Sequence, residues 1–263
     1  RVIGIEPRFM EWYLIAMDNE KRFRPFYSGL RNTLPKPVFG SIRFAVPPKR
    51  EQTLIADYLD QETSKIDLLI SKKELLIEKL LERRQALITQ VVTKGLDPDA
   101  PMKDSGVEWI GDTPLAWKTA RTPHYFASRK GSRAATLSIE YCADHPGVYP
   151  VYSGQTENNG VFAEIDSYEF DFSDRTVLFT TTVGSSKVMT VSRLTGKFSL
   201  SQNCMILQPT APLEMSPSFA YWAMTALFEV KRQELSQHMQ LSFRMSDFYS
   251  YKFALPPLSE QET

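Results

Sequence analysis

Amide, hydroxyl and basic side chains are concentrated in five short segments between residues 128 and 244. Asn and Gln can form paired hydrogen bonds with adenine edges, while Arg and Lys suit guanine. Ser and Thr hydroxyls and Gly backbone groups suit phosphate oxygens. These residue types predict recognition of bases and phosphates, and the alternative for any one loop is that it is only solvated. The segments are SRKGSR (128–133), SGQTENNG (153–160), TTTVGSSK (180–187), SLSQN (199–203) and SQHMQLSFR (236–244).

Twelve side chains in these loops are the candidates for direct contact with a nucleic acid. Each carries a cationic, amide or hydroxyl group that can reach a base edge or a phosphate. The set is Arg129, Lys130, Arg133, Gln155, Asn158, Thr182, Ser185, Lys187, Gln202, Asn203, Gln240 and Arg244.

Catalytic motifs are absent from the sequence. It has no Gly-rich phosphate loop with a Lys, no HExxH, no GxSxG and no Asn-Pro-Pro-aromatic motif. His124, His145 and His238 have no evident partners in the sequence. Cys142 and Cys204 stand far apart with no metal-ligand spacing, which is typical of buried thiols in a cytosolic protein. We therefore predict no catalytic residue, no metal site and no cofactor in this chain.

The composition is that of a folded protein with balanced charge. The 263 residues are 42% hydrophobic and 24% charged, which predicts a packed core in one large or two ordinary domains. The 31 basic residues equal the 31 acidic ones, and this counts against a nucleic-acid binder because phosphate contacts usually accompany a basic excess. No apolar run approaches the ~18–20 residues that cross a bilayer, so no membrane partner is expected.

Residues 53–92 predict one unusually long helix. The segment contains no Gly or Pro, follows Pro48 and ends just before Gly95, which suits a C-terminal cap. Its forty residues at ~1.5 Å each would extend for about 60 Å. Because globular helices average about a dozen residues, this one is expected to need a partner along its length.

Apolar residues recur every eleven positions along this helix. An eleven-residue repeat corresponds to ~3.67 residues per turn, which is close to a straight helix. The stripe predicts a second, antiparallel helix packed along the first, and the alternative is an ordinary core helix. The predicted packing residues are Ile55, Leu59, Ile66, Leu69, Ile70, Ile77, Leu80, Leu81, Ile88 and Val91.

Two phrases of the sequence occur twice. RFAVPPKREQT (43–53) matches KFALPPLSEQET (252–263), with the Pro-Pro and Glu-Gln pairs 209 residues apart. EPRFMEWYLIAM (6–17) matches SPSFAYWAMTAL (216–227) at an offset of 210. Two matched blocks in the same order indicate duplication of a globular head followed by a helix. The chain is therefore expected to start inside its first head and to end as its second helix begins.

The segment that follows the helix predicts a mainly β head. Short apolar and β-branched runs are separated by Gly, Asn, Asp and Ser clusters. A helix fits 216–234, and a last strand reaches the second Pro-Pro pair. The expected fold class is α+β, a mainly β domain with packed helices joined to the long helix. The predicted strands are 147–154, 160–165, 175–183, 187–194 and 204–209.

Several stretches resemble the specificity subunit of type I restriction–modification systems. The run from PPKREQ to VTKGL (47–96) and the following SGVEWIGDTPLAW (105–117) are similar to that family's conserved spacer region. The phrases YPVYSGQTENNGVF (149–162) and RTVLFTTTVGSSKV (175–188) are similar to its target-recognition domains.

The resemblance implies a function and a set of partners. Such a subunit carries two target-recognition domains, each reading half of a bipartite double-stranded DNA sequence, and two long helices space them. It docks two modification subunits, which bind S-adenosylmethionine and methylate adenine N6. A restriction subunit adds ATP- and Mg-dependent translocation and cleavage. The specificity subunit itself is not an enzyme, and the implied location is the prokaryotic cytoplasm.

The family pattern also implies how this chain is divided. The expected parts are a C-terminal remnant of a first recognition domain (1–48), a spacer helix (49–96), a second recognition domain (97–258) and the start of a second conserved helix (259–263). Most of the first recognition domain and nearly all of the second helix are expected to be absent. Two alternatives stay open: a coiled-coil protein-interaction scaffold without sequence-specific DNA binding, and a nuclease or methyltransferase.

Overall fold

The structure, a computed structural model, separates into two compact units. Unit 1 comprises Arg1–Leu81 and unit 2 comprises Glu82–Thr263, so the boundary lies within the long helix. The structure describes residues 4–28, 33–154, 157–184, 188–211, 213–235 and 241–261.

Helices and strands of the described residues confirm the α+β class. The helices are α1 (Pro7–Asn19), α2 (Lys36–Phe39), α3 (Lys49–Lys94), α4 (Thr122–Tyr125), α5 (Ile139–Asp144), α6 (Pro217–Leu235), α7 (Met245–Ser250) and α8 (Leu258–Gln261). The strands are β1 (Met102–Asp104), β2 (Asp112–Pro114), β3 (Lys118–Arg121), β4 (Phe126–Arg129), β5 (Pro146–Tyr152), β6 (Val161–Ile165), β7 (Phe170–Thr181), β8 (Val183–Gly184), β9 (Val191–Leu200), β10 (Cys204–Pro209), β11 (Leu241–Ser242) and β12 (Lys252–Leu255).

The long helix is present as a single element. Helix α3 has 46 residues, a few more at each end than the segment 53–92 predicted from the sequence. It ends at Lys94, and the next residue, Gly95, has a φ of 76° in the left-handed region and an N–H that donates to the Val91 carbonyl at 3.0 Å. This is the glycine cap that the sequence predicts, because a residue without a Cβ adopts that conformation at little cost.

In unit 1, the glutamine of the repeated phrase joins the start of α3 to the start of α1. The Glu6 N–H, just before α1, donates to Gln52 Oε1 at 2.7 Å. Gln52 Nε2 donates to the carbonyls of Pro47 at 2.8 Å and Gly4 at 3.4 Å. Gln52 is only 1% exposed, so these bonds satisfy an amide that water cannot reach.

In unit 2, the second copy of the phrase makes the same set of hydrogen bonds. The Ser216 N–H, just before α6, donates to Gln261 Oε1 at 2.7 Å. Gln261 Nε2 donates to the carbonyls of Pro256 at 2.9 Å and Glu214 at 2.7 Å. The two phrases therefore encode the same local structure, which supports the duplication inferred from the sequence.

A six-stranded sheet forms the centre of unit 2. Its strand order is β4-β10-β7-β9-β5-β6, and its pairs are antiparallel except for β5 with β9. The register of β7 on β9 shifts between Phe172 and Val177. The predicted run 187–194 is wrong at its start, because Val188 and Met189 lie in a turn and the strand begins at Val191. Met189 has a φ of 60°, which does not fit a strand.

The central strands of this sheet are buried on both faces. In β7, Val177 and Phe179 join one apolar cluster, while Leu178 between them joins the other. In β10, Ile206 and Leu207 divide in the same way. Successive side chains of a strand point to opposite faces, so a strand that is covered on both sides needs a continuous apolar run. The runs VLF and CMIL meet this requirement.

Helix α6 covers one of the two faces. Ala220, Ala223, Met224 and Leu227 are at most 1% exposed and pack in the same cluster as Leu178. The observed Pro217–Leu235 confirms the helix predicted at 216–234. Among the described residues, no helix is long and apolar enough to span a membrane.

Replacing Gln52 with Ala is expected to destabilise unit 1. The half-buried Glu6 N–H and Pro47 carbonyl would lose their partner, at a cost of about 1–3 kcal/mol. Urea titration would show the lower free energy of unfolding, and peptide-resolved hydrogen exchange would show faster exchange in α1. Gln61→Ala, an exposed glutamine on the same helix, is the matched control and should change little. Equal protection of α1 in both variants would contradict this role for Gln52.

Candidate nucleic-acid interface

Backbone hydrogen bonds join the turn after β9 to the loop after β5. The Ser201 N–H donates to the Tyr152 carbonyl at 2.8 Å, and the Gly154 N–H donates to the Gln202 carbonyl at 3.3 Å. A Cβ on Gly154 would lie 2.7 Å from the Asn203 carbonyl oxygen, so only glycine allows this approach. Two of the five polar segments are thus held in contact.

Two further segments join the same turn through Thr182. The Thr182 N–H donates to the Asn203 carbonyl at 2.8 Å, and the Thr182 carbonyl accepts from the Phe243 N–H at 2.7 Å. Asn203 has a φ of 64°, a left-handed conformation that Asn tolerates better than most residues. Thr182, just after β7, therefore lies between this turn and the segment that carries Arg244.

The basic segment 128–133 packs against the end of β9. A Cβ on Gly131 would lie 2.3 Å from the Leu200 carbonyl oxygen, so the loop can come this close only with glycine at that position. At its start, Tyr249 Oη accepts from the Ser128 N–H at 2.9 Å and bonds with Ser128 Oγ at 2.8 Å. The described parts of all five polar segments thus meet in unit 2.

Arg133 is engaged within the protein. Its Nη2 donates to Tyr141 Oη at 2.8 Å, its Nη1 donates to Ser167 Oγ at 3.3 Å, and its guanidinium lies 5.9 Å from the Tyr141 ring centroid. The ring of His145 stacks on Tyr141 at 4.2 Å. Arg133 therefore holds the loop onto α5 instead of extending freely like a surface cation.

The structure places the predicted contact residues in three groups. The prediction of a surface contact by the Thr182 side chain is wrong, because this residue is only 2% exposed. Its backbone groups instead join two loops. Arg133 is half-buried in the contacts given above. Exposed members are Arg129, Lys130, Asn158, Gln202, Asn203 and Arg244. Gln155, Ser185, Lys187 and Gln240 lie outside the described residues.

The loop after β5 contains two residues with unusual backbone angles. Asn158 and Asn159 have φ values of 47° and 54°. Asn158 Nδ2 donates weakly to the Val161 carbonyl at 3.5 Å, and its side chain is exposed. The Asn-Asn-Gly sequence suits this tight turn, because Asn and Gly are the residues that most readily adopt positive φ.

The residues that support these loops were not predicted from the sequence. Glu169 accepts a hydrogen bond from a residue 37 positions away, and Tyr249 contacts one 121 positions away. Separations of this size leave no local pattern, so single-sequence reasoning had no signal for them.

The thiol nearest to the interface is held protonated. Burial raises the pKa of Cys204 to about 12, although the charge of Lys130 acts in the opposite direction. A thiol with so high a pKa is a poor nucleophile. Among the described residues, no group of three His, Cys, Asp or Glu side chains could hold a metal ion.

The apolar stripe of α3 is covered only towards its ends. Ile55 and Leu59 are half-buried in unit 1, and Ile88 and Val91 are half-buried in unit 2. The middle six members are between 49% and 59% exposed, namely Ile66, Leu69, Ile70, Ile77, Leu80 and Leu81. These large apolar side chains form a surface that isolated exposed residues would not explain.

A groove of about 980 Å³ lies in unit 2 beside the end of α3. Leu87 and Val91 line one side, and Phe219 and Trp222 of α6 line the other. Arg193 lies above the Tyr221 ring at 4.2 Å and 6.0 Å from the Trp222 ring centroid.

In unit 1, the residue that corresponds to Trp222 is covered by α3 itself. Trp12 Nε1 donates to Asp60 Oδ1 at 2.7 Å, and Arg8 pairs with Asp57 at 2.8 Å and Asp60 at 2.7 Å. The hydrogen bond from Trp12, followed by that from Arg8, lowers the pKa of Asp60.

The fold and its site define a class of protein, an α+β head with converging polar loops joined to a long helix. Residues 129–263 match the model of the family described as type I restriction modification DNA specificity domain. This match covers half of the chain, and the chain belongs to that family.

Relatives and solved structures agree with this assignment. Two Mycoplasma pneumoniae proteins named as type I specificity subunits are each 33% identical to this chain, over 35% and 49% of its length. The matches span only 29% and 34% of those relatives. An HsdS subunit from Thermoanaerobacter tengcongensis aligns over 98% of this chain and 60% of its own, with 13% identity and a TM-score of 0.51. A chain from a structure of the type I restriction–modification system aligns over 98% of this chain and 61% of its own, with 13% identity and a TM-score of 0.56. Both solved structures support the fold.

Burial of the two thiols predicts their reactivity. At about pH 8 a thiol with the pKa of Cys204 is ionised to only about one part in ten thousand, and burial also raises the pKa of Cys142. Neither should react with a thiol-specific reagent until urea unfolds the protein. Because the folded pKa exceeds the unfolded one, the stabilisation from protonated Cys204 is full below about pH 9 and decreases above it.

In the Cys142→Ala variant, any labelling by the thiol reagent comes from Cys204. Labelling of the native Cys142→Ala variant at the rate seen in urea would contradict burial of Cys204.

Proposed function

We propose that this chain is the DNA-recognition part of a type I specificity subunit, with its 97–258 head reading one half of a bipartite double-stranded target. The observation that carries the proposal is the convergence of exposed amide and cationic side chains on one set of joined loops. Family membership supports it.

The two chemical types in these loops suit two tasks. Gln202 and Asn203 are exposed on a turn whose backbone is bonded on both sides, so their amides are presented from a fixed position. A fixed amide loses less entropy when it bonds to a base edge, which favours sequence reading. Arg129, Lys130 and Arg244 are cations suited to phosphates or guanine.

The long helix has a second task in this proposal. Its exposed stripe receives an antiparallel partner helix, and the internal repeat supports where that helix lies. A helix that continues from Gln261 would cover Trp222 as the first turns of α3 cover Trp12. Such a pair would set the spacer between half-sites and form the platform for the modification subunits.

Methylation and cleavage belong to partners in this proposal. The modification subunits supply S-adenosylmethionine chemistry, and the restriction subunit uses ATP and Mg, so the chain itself is no enzyme. The modification subunits also share in holding the DNA backbone, which accounts for the equal numbers of basic and acidic residues. The proposed location is the prokaryotic cytoplasm.

Substitutions in the loops separate base readers from phosphate contacts. Gln202→Ala, which leaves the left-handed Asn203 in place, should cost roughly 1–3 kcal/mol in binding and relax specificity at one base pair. Arg129→Ala should weaken binding uniformly and reduce the salt slope by about 1. Both are measured on the complex with the modification subunits, against a panel of single-base variants of its target. Gln61→Ala serves as the control.

The alternative function is tested by the same measurement. A coiled-coil scaffold predicts no sequence-selective binding after the modification subunits are added. Turnover by the isolated chain with a metal or S-adenosylmethionine would instead identify an enzyme.

Lengthening the helix should change the spacer and leave the half-site bases unchanged. Insertion of one eleven-residue period after Ile66, with the same insertion in the paired helix, keeps the apolar stripe in register. It adds ~16 Å at ~1.5 Å per residue, equivalent to at most about 5 base pairs. Methylation-site sequencing of cells with the variant complex would show the new target. Altered half-site bases with a constant spacer would rule out this use of the helix.

A further inference from the structure

We propose that Glu169 is a positioning residue that holds the segment carrying Arg129 and Lys130 in the conformation that contacts DNA phosphates. The inference rests on the proposed function and assigns the basic segment 128–133 to phosphate contact. It also assigns a role to an acidic residue that lies among the DNA-facing loops.

Glu169 joins the basic segment to the central sheet. Its Oε1 accepts the Ser132 N–H at 2.6 Å. Its own N–H donates to the Phe198 carbonyl and to Ser199 Oγ, both at 3.1 Å. Because Ser199 is fully buried in β9, these bonds fix the backbone of Glu169 on the sheet, and its carboxylate extends from that position to the loop.

The loop is shaped to accept this anchor. Gly131 lies against the Leu200 carbonyl, and a Cβ there would also be 3.1 Å from Glu169 Oε2. With Tyr249 holding Ser128 and Glu169 holding Ser132, the segment is bonded on both sides of its two exposed cations. Neither Arg129 nor Lys130 has an ion pair with any residue that the structure describes, so both charges are available for phosphates.

The charge of Glu169 is otherwise unfavourable at this place. A carboxylate repels phosphate, and its Oε2 is buried without a hydrogen-bond partner among the described residues. A charge-assisted hydrogen bond to a backbone N–H is roughly twice as strong as a neutral one. Holding the loop is therefore the gain that offsets the repulsion.

Without this anchor, the basic segment would become ordered only when DNA binds. The cost of ordering it would then reduce affinity, and contacts that fail to form would release fewer counterions. The opposite expectation follows if Glu169 only repels DNA, because its removal would strengthen binding.

Salt titration of DNA binding by the complex with the modification subunits tests the inference. Glu169→Ala should bind about tenfold more weakly and lower the salt slope by roughly 1–2, since each phosphate contact contributes ~0.9. Glu169→Gln keeps an acceptor oxygen for the Ser132 N–H and should stay within about twofold of the unaltered protein. Glu164→Ala removes an exposed acidic group from β6 and is the charge-matched control.

Two results would overturn the inference. Tighter binding by Glu169→Ala with an unchanged slope would show that the carboxylate only repels DNA, and affinity equal to that of Glu164→Ala would show no anchoring. Thermal unfolding of both variants separates a loop effect from loss of the fold. If the unaltered complex binds no DNA sequence selectively, the proposed function itself fails, whatever these variants do.

Discussion

A glutamine amide at each copy of the Pro-Pro phrase, buried in the first copy and half-buried in the second, is the interaction on which the architecture of this protein depends. The prolines end the approaching segment and lack N–H groups, and the carbonyls of Pro47 and Pro256 would be left unbonded without the glutamine. Gln52 and Gln261 satisfy these carbonyls with one end of the amide and a helix-start N–H with the other. A small number of hydrogen bonds thereby sets the direction in which each following helix begins.

The polar loops of unit 2 depend on a different principle, mutual support between segments that are distant in the sequence. No single loop is long enough to hold itself, yet backbone bonds through Ser201, Gln202 and Thr182 join four of them. Glycines at 131 and 154 permit approaches that a Cβ would block. Side chains that project from such joined loops can differ between proteins without changing the backbone that presents them.

Local residue patterns predicted the helices and most strands well, but they did not indicate which of the polar side chains are exposed. The eleven-residue period and the glycine cap led directly to α3, and apolar runs located β7 and β10. The start of β9 was missed because Val188 has strand propensity but lies in a turn fixed by tertiary contacts. Thr182 and Arg133 have the side-chain chemistry of contact residues, but one is buried and the other is bonded to Tyr141.

The sequence by itself determined the long helix, the duplicated join and the mainly β head, because each leaves a pattern that can be read along the chain: an apolar period, a repeated phrase, or apolar runs separated by turn residues. Only the tertiary structure decided which polar side chains meet at one surface and which are used to build it. That decision depends on bonds such as the one from Ser132 to Glu169, whose partners are separated by 37 positions. A hydrogen bond between distant segments leaves no trace in local composition, since either partner alone is simply another polar residue.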